Sequence, residues 1–272
     1  MRVALIQMLV TADKQKNLDT ACSKIKEASE QGAHIAVLPE MFCCPYDNNL
    51  FFDYGEEEGG LAQRTMSALA KELGIYIVAG SIPELAEGKI YNTSYVYCRK
   101  GKQIAKHRKI HLFDINIEGG QRFMESDVLS PGDSITTFET EYGTFGLCIC
   151  FDFRFEELAR CMCLRGAEVI FVPAAFNMTT GPAHWELLHR QRAVDNQCFT
   201  VAVAPARDMT ASYTSYGNSM AVEPFGSVIC RAGAEEATLY ADLDMERIKA
   251  IRRQLPILSA RRTDLYEIHE VK

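Results

Sequence analysis

The sequence predicts an α/β protein with a mixed sheet system. Short apolar, β-branched runs alternate with longer helical patterns, the arrangement expected of strands interleaved with covering helices. Several of those runs lack polar alternation, as strands covered on both faces do. One helix–strand unit also recurs in the two halves. "GAHIAVLPEMF" (32–42) and "GAEVIFVPAAF" (166–176) share Gly-Ala-x-apolar-x-x-apolar-Pro-x-x-Phe, each behind a helix rich in Ala and charge. The repeat points to one domain of two similar layers packed face to face; chance similarity of two helix–strand boundaries is the alternative. No Pro/Gly/Ser-rich linker divides the chain, so a single domain over residues 1–272 is expected.

In chain order, the strand readings are "RVALIQM" (2–8), "HIAVLP" (34–39), "IYIVAGS" (75–81), "YNTSYVYC" (91–98), "FGLCIC" (145–150), "EVIFVPAA" (168–175), "FTVAVAPA" (199–206) and "LYADLD" (239–244). Apolar spacing near 3.6 predicts helices over 17–32, 61–74, 155–166 and 183–197, and the first three patterns end at Gly, a common helix stop. "YCRKGKQI" (97–104) and "VEPFGSVI" (222–229) read as hairpin turns. The opening "MRVALIQMLVTADKQ" is short and has no small-residue cleavage pattern behind it, so it reads as a buried first strand.

Composition narrows the function. Apolar residues make up 47% and charged residues 24%, as in ordinary globular proteins. A formal charge of −7 argues against affinity for nucleic acid or an anionic membrane surface. No run approaches the roughly 20 apolar residues that span a bilayer, so a cytoplasmic protein is expected. Thiols stay reduced there, and the ten cysteines then need not form disulfides. The close pairs Cys43/Cys44, Cys148/Cys150 and Cys161/Cys163 lack the two-residue gap of a zinc knuckle, so no metal site is expected and most thiols read as core filling.

Chemistry is suggested at two places. The repeated unit differs after its proline: Glu40 in the first copy stands where the second has Ala174. A carboxylate at the end of an apolar strand is where α/β proteins build sites. Cys150 ends a strand before "FDFRFEE", which reads as the opening of a helix whose N-terminus favours a thiolate. A buried structural thiol is the competing reading of Cys150. Cys148, two residues earlier, reads as inert filling. A nucleophilic thiol needs a base. The histidines (His34, His107, His111, His184, His189, His269) offer one only as isolated surface or core residues.

Around Glu40, Lys109 and Cys150, "AVLPEMF" (36–42), "KHRKIHLF" (106–113) and "GLCICFDFRFEELAR" (146–160) resemble, in order and spacing, the three catalytic segments of the nitrilase superfamily of carbon–nitrogen hydrolases. "CPYDNN" (44–49), "RFMESDVLSPGDS" (122–134), "AAFNMTTGPAHWELLHRQRAVDNQ" (174–197), "APARDMTASY" (204–213) and "RRTDLYEIH" (261–269) place the closest likeness with the Nit2-type ω-amidases. The chain departs from that branch at "CICFD", usually "GICYD": Cys148 replaces a glycine and Phe151 lacks a tyrosine hydroxyl.

The resemblance implies a four-layer α-β-β-α sandwich and a homodimer. It implies a thiol amidohydrolase needing no cofactor, in which Cys150 attacks an amide carbonyl and Glu40 moves the protons. Lys109 stabilises the oxyanion with the Phe151 N–H, and Glu125 orients Lys109. The implied substrates are small dicarboxylic monoamides such as 2-oxoglutaramate or 2-oxosuccinamate. Their carboxylate is expected at Arg154, with Phe176 (through its backbone), Thr180 and Tyr46 adding polar contacts. An ion pair of Arg154 with Glu157 or Asp152 is the competing reading. Other expectations are a deaminated glutathione amidase, an N-carbamoyl amine hydrolase, or a catalytically silent scaffold that binds small acids. Nitrile hydrolysis is disfavoured because the nucleophile segment does not read Cys-Trp-Glu.

Overall fold

A computed structural model of the chain describes residues 1–118 and 122–271. The first half runs β1 (Arg2–Gln7), α1 (Lys14–Glu30), β2 (Ile35–Val37), a short α2 (Phe51–Tyr54), α3 (Leu61–Leu73), β3 (Tyr76–Ala86), β4 (Lys89–Tyr97) and β5 (Gln103–Arg108). An antiparallel pair, β6 (Asp114–Asn116) and β7 (Arg122–Met124), and a 3-10 turn at Glu125–Asp127 lead to β8 (Thr136–Thr140) and β9 (Gly143–Leu147). A second 3-10 turn, Cys150–Arg154, precedes α4 (Glu156–Leu164), β10 (Val169–Pro173) and α5 (Gly181–Asn196). The chain continues through β11 (Phe199–Val203), β12 (Met220–Val222), β13 (Val228–Arg231), β14 (Ala237–Asp242) and α6 (Met245–Gln254).

Helix boundaries follow local chemistry. The Asp13 carboxylate accepts from Lys16 N–H and starts α1, and Asp244 does the same for α6 with Glu246 N–H. Gly74 closes α3 at φ +66°, a left-handed cap that needs no Cβ.

The strands form two six-stranded sheets, ordered β14-β1-β2-β3-β4-β5 and β8-β9-β10-β11-β12-β13. Each begins with an antiparallel edge pair, continues through three parallel strands and ends with two antiparallel pairings. In this order β2 and β10 occupy equivalent places, and they are the strands of the repeated sequence unit. Period-two alternation sorts their side chains. Val3, Leu5, Val169 and Phe171 meet in the layer between the sheets. Ile6, Ala36 and Leu38 pack under α1 and α3, and Ile170 and Val172 pack under α4 and α5. The layering is helix, sheet, sheet, helix.

Two readings need correction. β9 stops at Leu147, so Cys148–Cys150 lie beyond the strand, and Cys150 opens a separate 3-10 turn instead of a helix. Phe155, extended at φ −89° and ψ 107°, separates that turn from α4. The cause is Asp152, whose carboxylate accepts from Ile149 N–H and from groups on the Lys109 segment, folding the turn back before a helix can propagate. Arg154 therefore precedes α4. The helix α6 and the short strands β6, β7, β8, β12 and β13 are elements that the apolar-run reading passes over.

Candidate active site

The carboxyl ends of β2, β9 and β10 open on the same region, and the chain beyond each delivers one part of the site. Beyond β2, Glu40 is held by a kink in β3. Gly80 has φ +34°, and a Cβ on it would lie 2.1 Å from the Pro39 carbonyl, so only glycine allows β3 to approach this closely. Next to it, the Ser81 hydroxyl accepts from Met41 N–H at 3.0 Å and the Ser81 carbonyl from Phe42 N–H at 3.2 Å. Met41 takes φ +52°, a left-handed conformation costing a non-glycine residue about 1–2 kcal/mol. Cys150, at φ +48°, carries similar backbone strain. Such strain is characteristic of functional positions.

Lys109 follows β5 and is fully buried. Its Nζ donates to Glu40 Oε1 and Glu125 Oε1, each at 3.0 Å, and to the Tyr46 hydroxyl at 3.3 Å, which uses all three ammonium hydrogens. The Tyr46 hydroxyl donates to Glu125 in turn, and Glu125 also accepts Phe113 N–H at 2.6 Å. Asn92, on β4, donates to Glu40 Oε1 at 2.8 Å. One oxygen of the Glu40 carboxyl is thus surrounded by donors, whereas Oε2 is buried with no fixed partner. The Cys150 thiol lies within reach of this carboxyl and of the Ala175 N–H.

Burial dominates the electrostatics. It raises the Glu40 carboxyl above its ordinary range; Lys109 offsets part of this and Glu125 adds to it. Burial would lower Lys109, but the facing Glu125 and Glu40 outweigh it and hold the ammonium charged. Burial and the neighbouring Glu40 push the Cys150 thiol well up, against the smaller opposing pulls of Lys109 and the Ala175 N–H. The resting pair is a neutral thiol beside a carboxyl, so the thiolate expected from a helix N-terminus does not form on its own. A cavity of about 390 Å³ reaches this cluster and is walled by Glu40, Met41, Tyr46, Ala175, Tyr213 and Ser215. Cys150 itself is 4% exposed. Among the described residues no group of three or more His, Cys, Asp or Glu converges as a metal-binding set.

The sequence matches the carbon–nitrogen hydrolase family over residues 2–253. The chain belongs to that family. This carbon–nitrogen hydrolase is 50% identical over 271 residues to the omega-amidase NIT2 of Mus musculus, covering 100% of this chain and 98% of the mouse protein. It is 49% identical to the Homo sapiens omega-amidase NIT2 over 271 residues, with the same shares covered. Among solved structures it superposes on Saccharomyces cerevisiae Nit3, a member of branch 10 of the nitrilase superfamily. That match has a TM-score of 0.89 and 41% identity, covering 96% of each chain.

The other expected substrate contacts of the hydrolase fall into two groups. Arg154 is half-buried, donates to His184 Nδ1 at 3.0 Å and stacks 4.5 Å from the Phe176 ring and 5.6 Å from the Phe151 ring. It makes no ion pair with Glu157 or Asp152, and its Nε is buried without a partner. Burial lowers its pKa, and the nearby Cys150 and Tyr213 oppose this. Phe176, Thr180 and Tyr46 already have internal partners. The Phe176 carbonyl accepts from Tyr216 N–H at 2.6 Å, and the Thr180 hydroxyl donates to Asn177 Oδ1 at 2.9 Å. Tyr46 belongs to the Glu40–Lys109–Glu125 cluster. Trp185 on α5 is packing, with its indole N–H on the Asn218 carbonyl at 2.7 Å.

Asp152 escaped the sequence reading. Its buried carboxylate accepts from His107 Nε2 at 2.9 Å, His111 Nδ1 at 2.9 Å, His111 N–H at 2.8 Å, Ile110 N–H at 3.1 Å and Ile149 N–H at 3.1 Å. The two histidines flanking Lys109 thereby clamp the lysine segment to the turn that carries Cys150. Burial alone would raise this carboxyl, but the hydrogen bonds from His107 and His111 bring it well below its ordinary value. Its contribution to stability is therefore present above the unfolded carboxylate value near 3.9 and is lost as pH falls below it. Asp152→Asn puts an amide against N–H donors and should cost about 2–4 kcal/mol of unfolding free energy at pH 7. The urea midpoint measured at pH 7 and pH 3 checks this: the gap between variant and wild type should narrow at the lower pH.

Proposed function

We propose that this chain is an ω-amidase, a thiol amidohydrolase that releases ammonia from the terminal amide of small dicarboxylic monoamides such as 2-oxoglutaramate and 2-oxosuccinamate. The observation that carries the reading is the convergence of Glu40, Lys109 and Cys150, with Glu40 Oε2 free of fixed partners and the thiol within reach of the carboxyl. The full-length relatives named omega-amidase NIT2 support the substrate class.

In this reading Glu40 takes the proton from Cys150 as the sulfur attacks the amide carbon. The negative charge on the former carbonyl oxygen is met by Lys109 and the Phe151 N–H. Because the three Lys109 hydrogens are already engaged, one bond must be exchanged for the oxyanion, and the 3.3 Å bond to Tyr46 is the weakest of them. Glu40 returns the proton to the departing nitrogen, and ammonia leaves a thioester on Cys150. Water, deprotonated by Glu40, attacks that thioester, and the acid product leaves as the thiol regains its hydrogen. Glu125 holds Lys109 in place throughout.

Arg154 is assigned to the distal carboxylate because it is the cation beside Cys150 whose buried Nε has no internal partner. The reading includes a single domain over 1–272 and a homodimer in the cytoplasm. The ten free thiols fit a reducing compartment, and no helix among the described residues is long and apolar enough to cross a membrane.

The test is ammonia release across a panel of ω-monoamides, N-carbamoyl amines and amides lacking a carboxylate. Dicarboxylic monoamides should turn over fastest, and Arg154→Met should raise their KM by about 10- to 100-fold, the loss of a charge-assisted contact. Equal turnover of amides without a carboxylate would remove the assignment.

A further inference from the structure

Tyr213 ends "APARDMTASY", a segment to which neither the fold nor the triad gives a role. It lies between β11 and β12 beside a surface stretch in which Met209 is 73% exposed, yet Tyr213 itself is buried. Its hydroxyl donates to the Ala175 carbonyl at 2.5 Å. Its ring stands 4.5 Å from that of Tyr46 and 5.4 Å from that of Phe123. One neighbour is thus the residue whose N–H reaches the Cys150 sulfur, and the other joins Glu40, Lys109 and Glu125. Just beyond, Asn177 and Ser215 form an isolated bridge that ties the Tyr213 segment to the chain beyond β10.

We infer that Tyr213 is a positioning residue for the nucleophile: its hydroxyl pins Ala175 so that the Ala175 N–H stays on the Cys150 sulfur, while its ring on Tyr46 fixes the acid side of the same site. The inference rests on the reading of Cys150 as the nucleophile. The backbone after β10 has left the sheet at Ala175, so no ladder bond fixes its orientation, and a side-chain hydroxyl on its carbonyl supplies that restraint. An N–H held on sulfur favours the thiolate that forms when Glu40 removes the proton. The titratable and charged groups that act on Cys150 are Glu40 beyond β2, Lys109 beyond β5, Tyr46, Arg154 and Tyr213, with Cys148 on its own segment.

The experiment is alkylation of Cys150 by iodoacetamide between pH 6 and 9, followed by mass spectrometry of the peptide that carries it, beside steady-state amide hydrolysis. Tyr213→Phe keeps the ring in its stack and removes only the hydroxyl. Alkylation at pH 7.5 should slow by roughly 5- to 10-fold and its pH profile should move upward. A weakened hydrogen bond to an anion has that size of effect. The kcat should fall by a similar factor with KM within about twofold of wild type. Tyr213→Leu serves as the second variant and should alkylate more slowly still; thermal midpoints monitor folding of both. Unchanged or faster alkylation with a raised KM would make Tyr213 only a wall of the cavity and overturn the inference. If the wild-type protein neither turns over an ω-monoamide nor alkylates first at Cys150, the reading of the nucleophile fails and the inference falls with it.

Discussion

Cys150→Ala is expected to lower kcat/KM for 2-oxoglutaramate by about 10⁴-fold or more, leaving only what binding and oxyanion stabilisation supply. The size of the effect follows from the buried arrangement. Among the described residues Cys150 is the thiol recorded against the Glu40 carboxyl, and water in the same place would be a far poorer nucleophile. Glu40→Gln should remove a comparable factor, about 10³- to 10⁴-fold, for a different reason. The Cys150 thiol is pushed well above its ordinary value by burial, so without a base within reach almost no thiolate forms near neutrality. The two substitutions separate in their pH behaviour. Burial raises Glu40, so the acid limb of the wild-type kcat/KM profile should lie above the ordinary glutamate value near 4.3, with activity rising as the carboxyl ionises. Residual activity of Glu40→Gln should lack that limb. Ammonia release against pH, with mass spectrometry for an acyl adduct on the Cys150 peptide, measures both. A Cys150→Ala protein keeping more than a few per cent of activity would end the covalent mechanism.

Lys109→Met should show the second largest change, and most of it in stability. The ammonium separates two buried carboxylates, Glu40 and Glu125, with Nζ 3.0 Å from Glu40 Oε1 and 2.9 Å from Glu125 Oε2. Removing one partner of such a buried set leaves uncompensated charge and costs about 3–5 kcal/mol. The sign of the pH dependence is distinctive. In the wild type the Lys109 pKa is raised, so its stabilisation is complete below the unfolded value near 10.4 and is lost only as pH rises through the higher folded value. Stability from this group is flat across neutral pH. In Lys109→Met, two facing carboxylates share one tyrosine hydroxyl, and one of them will hold a proton above its ordinary pKa. A carboxyl raised in the folded state binds protons in the native protein before it does in the unfolded chain. The variant should therefore gain more stability than the wild type as pH falls from about 8 toward 5, because in the wild type Lys109 offsets part of the rise that burial gives Glu40. Urea midpoints at the two pH values decide the matter, and parallel behaviour of the two proteins would show that the carboxylates are hydrated. Hydrolysis should fall by about 10²- to 10³-fold in addition, the usual effect of deleting an oxyanion donor.

Sequence pattern made the fold legible because its strands are apolar on both faces and its helices carry clear stops. The repeated "Gly-Ala" unit even marked two strands at equivalent places in the two sheets. Elements with little buried surface were lost: β13 is mostly exposed and β6 has only three residues, so neither makes an apolar run. The helix α6 had a readable start at Asp244, followed by apolar positions at 245, 248 and 251, but strand reading had already claimed the residues before it. Within the site, Glu40 stood out from residue type alone. Lys109 and Cys150 needed the resemblance, because a charge in a basic strand and a thiol in an apolar one are ordinary. Asn92 carried a signal that could have been used: Asn92, Thr93 and Ser94 form a fully buried polar run inside β4, which packing alone does not explain. Asp152, Ala175 and Tyr213 left no local trace. Their roles lie in contacts between segments 38 to 45 residues apart, such as Tyr213 to Ala175 and His107 to Asp152, which no window of periodicity covers.

The two sheets repeat one strand order, yet they have not kept one set of duties. In the proposed mechanism, proton carrier and cation come from the first half, while sulfur, its amide donor and the pinning phenol come from the second. Neither half owns a complete reagent set, and the reaction exists only along the seam where they touch. In that mechanism the gap between base and nucleophile is set by how one layer packs on the other, a coordinate invisible to any single helix or strand.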